Sequence, residues 1–177
     1  MIFIKKIILI ILAIIVMYMI YGNVKAQEII IPDTAIRLRV IPNSNSSYDQ
    51  VMKEKVKKYL EEEVYLLLND VNNIDDARNV VESNLDNINN EVENIFVKEN
   101  YNQKFDVNFG YNYFPEKEYK GIKYEEGYYE SLVITIGKGE GDNFWCVLFP
   151  SFCLIDSKDL TDSEYQSYIY ETIKKLF

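Results

Sequence analysis

The sequence of 177 residues contains no histidine, only two cysteines and a single tryptophan. Without histidine the chain cannot form a histidine-based catalytic triad, a histidine metal site or a histidine pH switch. Two cysteines alone cannot complete a structural zinc site. Ser131 lacks the G-x-S-x-G turn of a hydrolase nucleophile, and no EF-hand calcium loop is present. We therefore predict no catalytic residues, no metal site and no cofactor.

Positive charge is also scarce, because 19 lysines and arginines stand against 28 aspartates and glutamates, for a formal charge of −9. The first 26 residues hold three of the lysines and no acid, so the remainder has 16 basic and 28 acidic residues and a charge of −12. Such a chain repels phosphate groups. Binding to nucleic acid or to anionic lipid through bulk charge is therefore not expected.

The first 26 residues have the pattern of an export signal. Lys5 and Lys6 precede an apolar run over residues 7–20, and Val24-Lys25-Ala26 resembles a signal peptidase site. The run is short for a membrane span, which needs about 20 apolar residues. A cleaved signal peptide and an uncleaved N-terminal anchor both stay open, and either would be the sole membrane contact. We expect residues 27–35 to form a linker and residues 36–177 a single exported domain.

Periodicity over residues 36–177 predicts an α+β domain. Apolar and basic residues alternate over Ile36–Ile41, which predicts a strand with one buried face, and Ser46 with Asp49 can begin a helix as a capping box. The predicted order is β-α-α-β-β-β-β-α, a mostly antiparallel sheet of four to five strands with an αα-hairpin and a C-terminal helix from Thr161. The later strands are expected at 105–114, 119–124, 128–136 and 144–149, as an antiparallel meander.

Apolar residues of the second helical segment recur at steps of three and four. This stripe is typical of a helix in an αα-hairpin packed on a sheet. It also fits a dimeric coiled coil, which would make the protein a structural homodimer, and the sequence leaves the oligomeric state open. The stripe consists of Ala77, Val81, Leu85, Ile88, Val92 and Ile95.

The stretch 137–156, GKGEGDNFWCVLFPSFCLID, contains both cysteines, the tryptophan and three glycines at alternate positions. No helix is predicted after its G-x-G-x-G motif, and Glu140 and Asp142 repel phosphate. We therefore interpret the glycines as a hairpin turn rather than a phosphate-binding loop. Cys146 and Cys153 lie on either side of Pro150. In an exported protein they are candidates for a disulfide, with a pair of buried thiols as the alternative.

Acids and tyrosines are the remaining side chains that can support a function. A carboxylate-dependent cell-wall hydrolase needs a pair of acids, but no spacing singles out a pair among Glu125, Glu126, Glu130, Glu140, Asp142 and Asp156. Solvated acids are the simpler interpretation. Some tyrosines of the predicted sheet can form an exposed patch suited to a protein interface, and the others belong to the core. These are Tyr111, Tyr113, Tyr119, Tyr124, Tyr128 and Tyr129.

Two long blocks resemble the stage II sporulation protein R family. The first is IRLRVIPNSNS at 36–46 followed by Asp49-Gln50 and Lys53-x-Lys55-Val56, and the second is the G-x-G-x-N-x-W-C-V-L-F-P-x-x-C-x-x-D pattern that ends at Asp156. Phe114-Pro115 and the segment 119–132 follow the same layout. The resemblance covers about residues 36–156. Mild departures stand at Pro42, Asn45 and Phe144, where alanine, aspartate and a second tryptophan are usual.

The resemblance implies a signalling role in endospore formation. Members are exported from the forespore into the space between forespore and mother cell. There they activate a membrane-embedded aspartic protease of the mother cell, which removes the pro-sequence of the sigma factor sigma E. The expected protein is therefore a non-enzymatic activator. As candidates for contact with the protease we take polar, glycine and aromatic positions of the two blocks: Arg37, Asn43, Ser44, Ser46, Asp49, Gly139, Gly141, Asn143, Trp145 and Asp156.

Overall fold

The structure, a computed structural model, describes residues 34–68, 70–119 and 122–150, with helical residues near both ends at 5–7, 10–12, 14, 17, 170–172 and 174. No helix in these ranges is long and apolar enough to cross a bilayer. The predicted helix start at Thr161, with Cys153 and Asp156, lies outside the described residues. The elements are β1 (Ile36–Ile41), α1 (Ser47–Tyr59), a π-helical turn (Leu60–Val64), α2 (Tyr65–Leu68), α3 (Ile74–Ser83), α4 (Leu85–Lys98), β2 (Phe105–Phe114), β3 (Lys117–Tyr119), β4 (Ile122–Tyr124), β5 (Gly127–Ile136) and β6 (Phe144–Phe149).

The main sheet has four strands in the order β2-β5-β1-β6. The α+β class is confirmed, but the expectation of a mostly antiparallel meander is wrong. β1 lies between β5 and β6, parallel to the first and antiparallel to the second. The physical reason is that both faces of β1 are covered. Ile36, Leu38 and Val40 face the core, while Arg37 on the other face is only 3% exposed. A strand buried on both faces belongs in the centre of a sheet and needs two neighbours.

The segment predicted as one strand at 119–124 is instead split between β3 and β4, which pair antiparallel as a separate two-stranded sheet. The two strands extend the connection between β2 and β5. Those two strands pair over their whole length, from Phe105 opposite Ile136 to Phe114 opposite Gly127.

The helices cover one face of the main sheet, and the apolar stripe lies in the core between them. Ala77, Val81, Ile88 and Val92 are all buried in one cluster with residues of β1 and β5. This arrangement confirms helices packed on a sheet. The four buried residues of the stripe pack within the fold, while Leu85 and Ile95 are half-buried. One expected helix is in fact two. The side chain of Asn84 donates to the Val80 carbonyl at 2.8 Å, and α3 ends there while the stripe continues in phase along α4.

Candidate functional site

Two loops at one end of the sheet form a single structural unit, here called the paired loops: residues 42–46 after β1 and residues 137–143 between β5 and β6. Because β1 and β5 are parallel, their C-terminal ends lie at the same edge of the sheet. The two loops are joined directly by hydrogen bonds that involve their backbone groups and two asparagine side chains. The hydrogen bonds run from Gly141 N to Pro42 O (3.1 Å), Glu140 N to Asn43 O (3.2 Å), Lys138 N to Asn43 Oδ1 (3.0 Å) and Asp142 N to Asn45 Oδ1 (2.6 Å).

The glycines of the second loop permit this close approach. Gly137 and Gly139 have φ values of 57° and 67°, in the left-handed region that glycine adopts without strain. A Cβ atom at Gly141 would clash sterically with the Ser44 carbonyl oxygen. The prediction of a turn at these glycines is confirmed, but the turn does not close a hairpin, because it crosses over β1 and joins non-adjacent strands.

Substituting Gly141 with alanine is expected to lower the free energy of unfolding by about 1–3 kcal/mol, because the new methyl group must push the two loops apart. Urea denaturation checks this value. Lys138→Ala is the matched control. Its side chain is exposed on the same loop, so a change within about 0.5 kcal/mol is expected there. Equal denaturation midpoints for Gly141→Ala and the wild type would contradict the packing of the loops.

Asp49 is the polar centre beneath the paired loops and is only 6% exposed. Its Oδ2 atom accepts from Ser44 Oγ at 2.5 Å and from Asn43 Nδ2 at 2.9 Å, and its Oδ1 atom accepts from Tyr101 OH at 2.5 Å. The Asp49 backbone N–H donates to Ser46 Oγ at 3.1 Å, which confirms Ser46 as the N-cap of α1. The capping box is only half formed, because the carboxylate turns to the loop and to Tyr101 instead of to the Ser46 backbone.

The hydrogen bonds to Asp49 control its ionisation. Burial alone would raise the pKa of the carboxyl, but the donors from Ser44, Tyr101 and Asn43 outweigh it, together with the Ser46 contact, and lower the pKa to about 2. Burial, followed by the hydrogen bond to Asp49, raises the pKa of Tyr101 above its ordinary value. At neutral pH the pair is therefore a carboxylate accepting from a neutral phenol.

The fold should lose stability in acid through Asp49. Its folded pKa of about 2 lies below the unfolded value of about 3.9, so the contribution is complete above the unfolded value and is lost as the pH falls through the folded one. We expect a loss of about 2–3 kcal/mol between about pH 5 and pH 1. Urea denaturation of the wild type and of Asp49→Asn across this range isolates the effect from the other acids. Parallel pH profiles of the two proteins would contradict it.

Arginines and aromatic rings alternate on the sheet face opposite the helices. The Arg37 guanidinium lies 3.2 Å from the ring centroid of Tyr129, and that of Arg39 lies 4.2 Å from the ring centroid of Trp145. Phe114 packs edge-on against Trp145 at 5.2 Å. Stacking of this kind keeps an arginine charged inside a sheet because the ring faces carry negative potential. Burial lowers the pKa of Arg39 from its ordinary value, but arginine stays protonated in proteins.

Asn143 connects this face to the paired loops. With its amide oxygen turned toward Arg39, it accepts from Nη2 at 2.7 Å and from Nε at 2.9 Å, while its nitrogen donates to the Gly141 carbonyl at 2.8 Å. The Lys117 ammonium lies 5.1 Å from the ring centroid of Trp145. Trp145 is thus half-buried between two cations, and its position depends on the loop that precedes it.

The structure gathers most of the predicted contact residues but turns many of them inward. Asn43, Ser44, Ser46 and Asp49 hold the first loop and the start of α1, and Arg37 is buried under Tyr129. Gly139, Gly141 and Asn143 shape the second loop, and Trp145 stays partly exposed. Asp156 lies outside the described ranges. The disulfide between Cys146 and Cys153 stays a prediction, because Cys153 lies outside them as well.

Two residues of the site had no signal in the sequence. Tyr101 lies between α4 and β2, 52 positions from Asp49, and only the packing of α4 against α1 brings it to the carboxylate. Arg39 was expected on an exposed strand face. The aromatic residues that cover it come from β2 and β6, two strands that are distant from β1 in the sequence.

Among the described residues, the acids considered for a hydrolase either form an ion pair or lie exposed on a loop. Glu130 forms a forked ion pair with Arg78, with Nε–Oε1 at 2.5 Å and Nη2–Oε2 at 2.9 Å, and Arg78 also binds Asp75 at 2.6 Å. These partners raise the pKa of Arg78 above its ordinary value. Glu140 and Asp142 are exposed on the second loop. The described residues therefore offer no carboxylate pair arranged around a substrate cleft.

A family of known proteins resembles this chain over most of its length. A family model described as stage II sporulation protein R matches residues 32–159, which include β1, both loops and β6. The stage II sporulation protein R of Bacillus subtilis (strain 168) is 40% identical over 130 residues, which are 73% of this chain and 58% of that protein. The chain thus corresponds to somewhat more than half of that relative's length. No solved structure matches the chain. The chain belongs to the stage II sporulation protein R family.

Proposed function

We propose that the protein is an exported, non-enzymatic signal of sporulation that activates a membrane-embedded aspartic protease of the mother cell. The activated protease removes the pro-sequence of the sigma E precursor. Membership of the stage II sporulation protein R family over residues 32–159 carries this proposal. An N-terminal segment with two lysines and a long apolar run supports export into the space between forespore and mother cell.

The exposed rim of the paired loops is the surface that we propose for contact with the protease. Asn45, Lys138, Glu140 and Asp142 are exposed there, and Tyr48 beside them is 52% exposed. The inward residues fix the backbone of both loops through hydrogen bonds. A surface fixed before binding loses less conformational entropy on association, which favours recognition. This interpretation moves the proposed contact from the inward residues Asn43 and Asp49 to their exposed neighbours.

A disulfide between Cys146 and Cys153 is part of the same proposal. Cys146 lies within β6 and the two cysteines enclose six residues, so the bond would close a short loop that begins in the strand that carries Trp145. Closing such a loop contributes about 2–3 kcal/mol in the chain-entropy model. An oxidised pair suits an exported protein.

Deleting the gene in the source organism is expected to leave the sigma E precursor unprocessed, as an immunoblot of sporulating cells would show. Complementation with the wild-type gene restores processing. Complementation with a chain that lacks residues 1–26 does not, because that chain stays in the forespore. Normal processing in the deletion strain would contradict the proposed function.

A charge-reversal variant tests the proposed contact surface separately from the proposed activator function. A double variant, Lys138→Glu with Glu140→Arg, is expected to reduce processing about tenfold at an unchanged protein level. The matched control reverses Lys58 and Glu62, an exposed ion pair at the end of α1 opposite to the one that contacts the first loop. Equal processing by both variants would contradict the loop rim as the contact but not the activator function itself.

A further inference from the structure

β2 is an outer strand of the main sheet. The strand order places β5 on one side of it, and among the described strands none lies on the other. It runs for ten residues, Phe105–Phe114, and pairs with β5 along its whole length. Such a strand presents a row of backbone donors and acceptors to its surroundings.

The direction of these backbone groups follows from one hydrogen bond. Gly137 N donates to Lys104 O at 2.7 Å, and these residues continue the β2–β5 register by one position. In an antiparallel pair, alternate residues point both backbone groups at the neighbouring strand. Lys104, Asp106 and Asn108 therefore face β5. The N–H and C=O groups of Phe105, Val107, Phe109 and Tyr111 point outward.

The residues of β2 itself lack the features that prevent another strand from pairing with an edge. Natural edge strands are usually short or carry lysine, proline or a bulge. Phe105–Phe114 contains no lysine, arginine or proline, its register against β5 is continuous, and Asp106 is its only charged residue. An outer strand this long and this open is a ready template for a further strand.

Exposed tyrosines and acids flank the edge. Tyr111, Tyr113 and Tyr128 are 73%, 49% and 71% exposed, and the rings of Tyr113 and Tyr128 lie 5.6 Å apart. Tyr111 and Tyr128 line an open pocket of about 460 Å³ that reaches Arg78 and Glu130. The Tyr113 hydroxyl donates to the exposed Glu126 at 3.1 Å. The Asp75 side chain, 80% exposed, lies beside Arg78, whose charge Glu130 and Asp75 already neutralise.

We propose that the outer edge of β2 binds an extended segment of a protein partner that carries lysine or arginine at alternate positions. The segment adds a strand through the outward groups of Val107, Phe109 and Tyr111, which is the β-augmentation mode of peptide recognition. Its cations lie over the exposed tyrosine rings and near the flanking acids. A second copy of this chain suits the edge less well, because it brings a net charge of −9 and a β2 strand without cations. This inference does not depend on the proposed function.

A synthetic ten-residue peptide tests the proposal. Every second residue is threonine, and the residues between are lysine or valine. The peptide is titrated calorimetrically into the full chain in neutral detergent micelles, beside a peptide in which glutamate replaces lysine. We expect the lysine peptide to bind about tenfold or more tightly than the glutamate peptide. We also expect it to slow amide exchange at Val107, Phe109 and Tyr111. Equal binding of the two peptides, the absence of saturable binding or protection outside β2 would overturn the proposal.

Variants of the tyrosines provide the matched controls. Tyr111→Ser with Tyr128→Ser should weaken lysine-peptide binding about tenfold, while the corresponding double phenylalanine variant keeps it. Both side chains are exposed, so thermal unfolding should show little change in either variant. Unchanged affinity in the serine variant would overturn the role of the rings. A dimer in sedimentation, together with β2 amides that are protected from exchange before peptide is added, would assign the edge to a second copy instead.

Discussion

Replacing Arg78 with alanine is expected to lower the free energy of unfolding by about 3 kcal/mol or more. The Glu130 side chain is only 9% exposed, and both of its oxygens accept from the Arg78 guanidinium. Without Arg78 the carboxylate stays buried with its main partner removed. Breaking a buried pair in this way costs more than the pair itself contributes, because the desolvation of the remaining charge is no longer offset. The Arg78 side chain is 35% exposed, which places the loss toward the lower end of the usual range.

Urea denaturation at neutral pH measures this effect, and two further variants test its cause. Replacing both partners with apolar residues, Arg78→Met with Glu130→Leu, should recover most of the lost stability, since no charge is then buried. Asp75→Ala removes only the exposed partner of Arg78 and should cost less than about 1 kcal/mol. An Arg78→Ala protein as stable as Asp75→Ala would show that the ion pair with Glu130 is solvated and contributes little.

The same ion pair shows why a list of acids in the sequence does not reveal their roles. Glu130 ranked equally with Glu140 and Asp142 as a candidate acid, because composition alone cannot tell a buried carboxylate from a solvated one. Its partner Arg78 is 52 positions away, on a different element. Only the packing of α3 beside the start of β5 brings the two together.

Local signals in the sequence predicted several elements correctly. Ser46 caps α1 as its position suggests, and its side chain accepts from the Asp49 backbone N–H three residues on. The period-two pattern predicted β5, and an apolar run between two turns predicted β6, both nearly to the residue. These features depend on neighbouring residues, whose preferences can be judged without knowledge of the fold.

The arrangement of the strands could not be predicted in the same way. Arg37 and Arg39 suggested a solvated face, because a charged residue at alternate positions is the usual mark of exposure. Instead, Tyr129 and Trp145 stack on the guanidinium groups, so that Arg37 is buried and Arg39 is half-buried. The covered second face suits a central strand, and there β1 lies parallel to β5 and antiparallel to β6. The two loops of the candidate site meet because β1 and β5 lie side by side, a pairing between strands that are far apart in the sequence.

Truncating Asp49 to alanine is expected to lower the free energy of unfolding by about 3–4 kcal/mol, because three donors lose their common acceptor. Tyr101, only 6% exposed, is the most costly of them, since its hydroxyl would remain in the interior without the carboxylate. Ser44 and Asn43 are half-buried and can turn partly to water. Chemical denaturation at pH 7 measures the loss. The Asp49→Asn variant keeps the shape but not the charge and should fall between alanine and wild type.

A double-mutant cycle with Tyr101→Phe identifies the source of this loss. Tyr101→Phe alone should lower the free energy of unfolding by about 1–2 kcal/mol. In the Asp49→Ala background the same substitution should cost almost nothing, because it removes a phenol that is already unpaired. Fully additive losses would mean that the two residues do not interact. The cycle also separates stability from signalling. If the proposed function holds and Asp49 acts only by holding the paired loops, the single variants should reduce sigma E precursor processing in the order of their instability. A processing defect in Asp49→Asn as large as that in Asp49→Ala, despite the smaller loss of stability, would instead indicate that the carboxylate contacts the proposed protease.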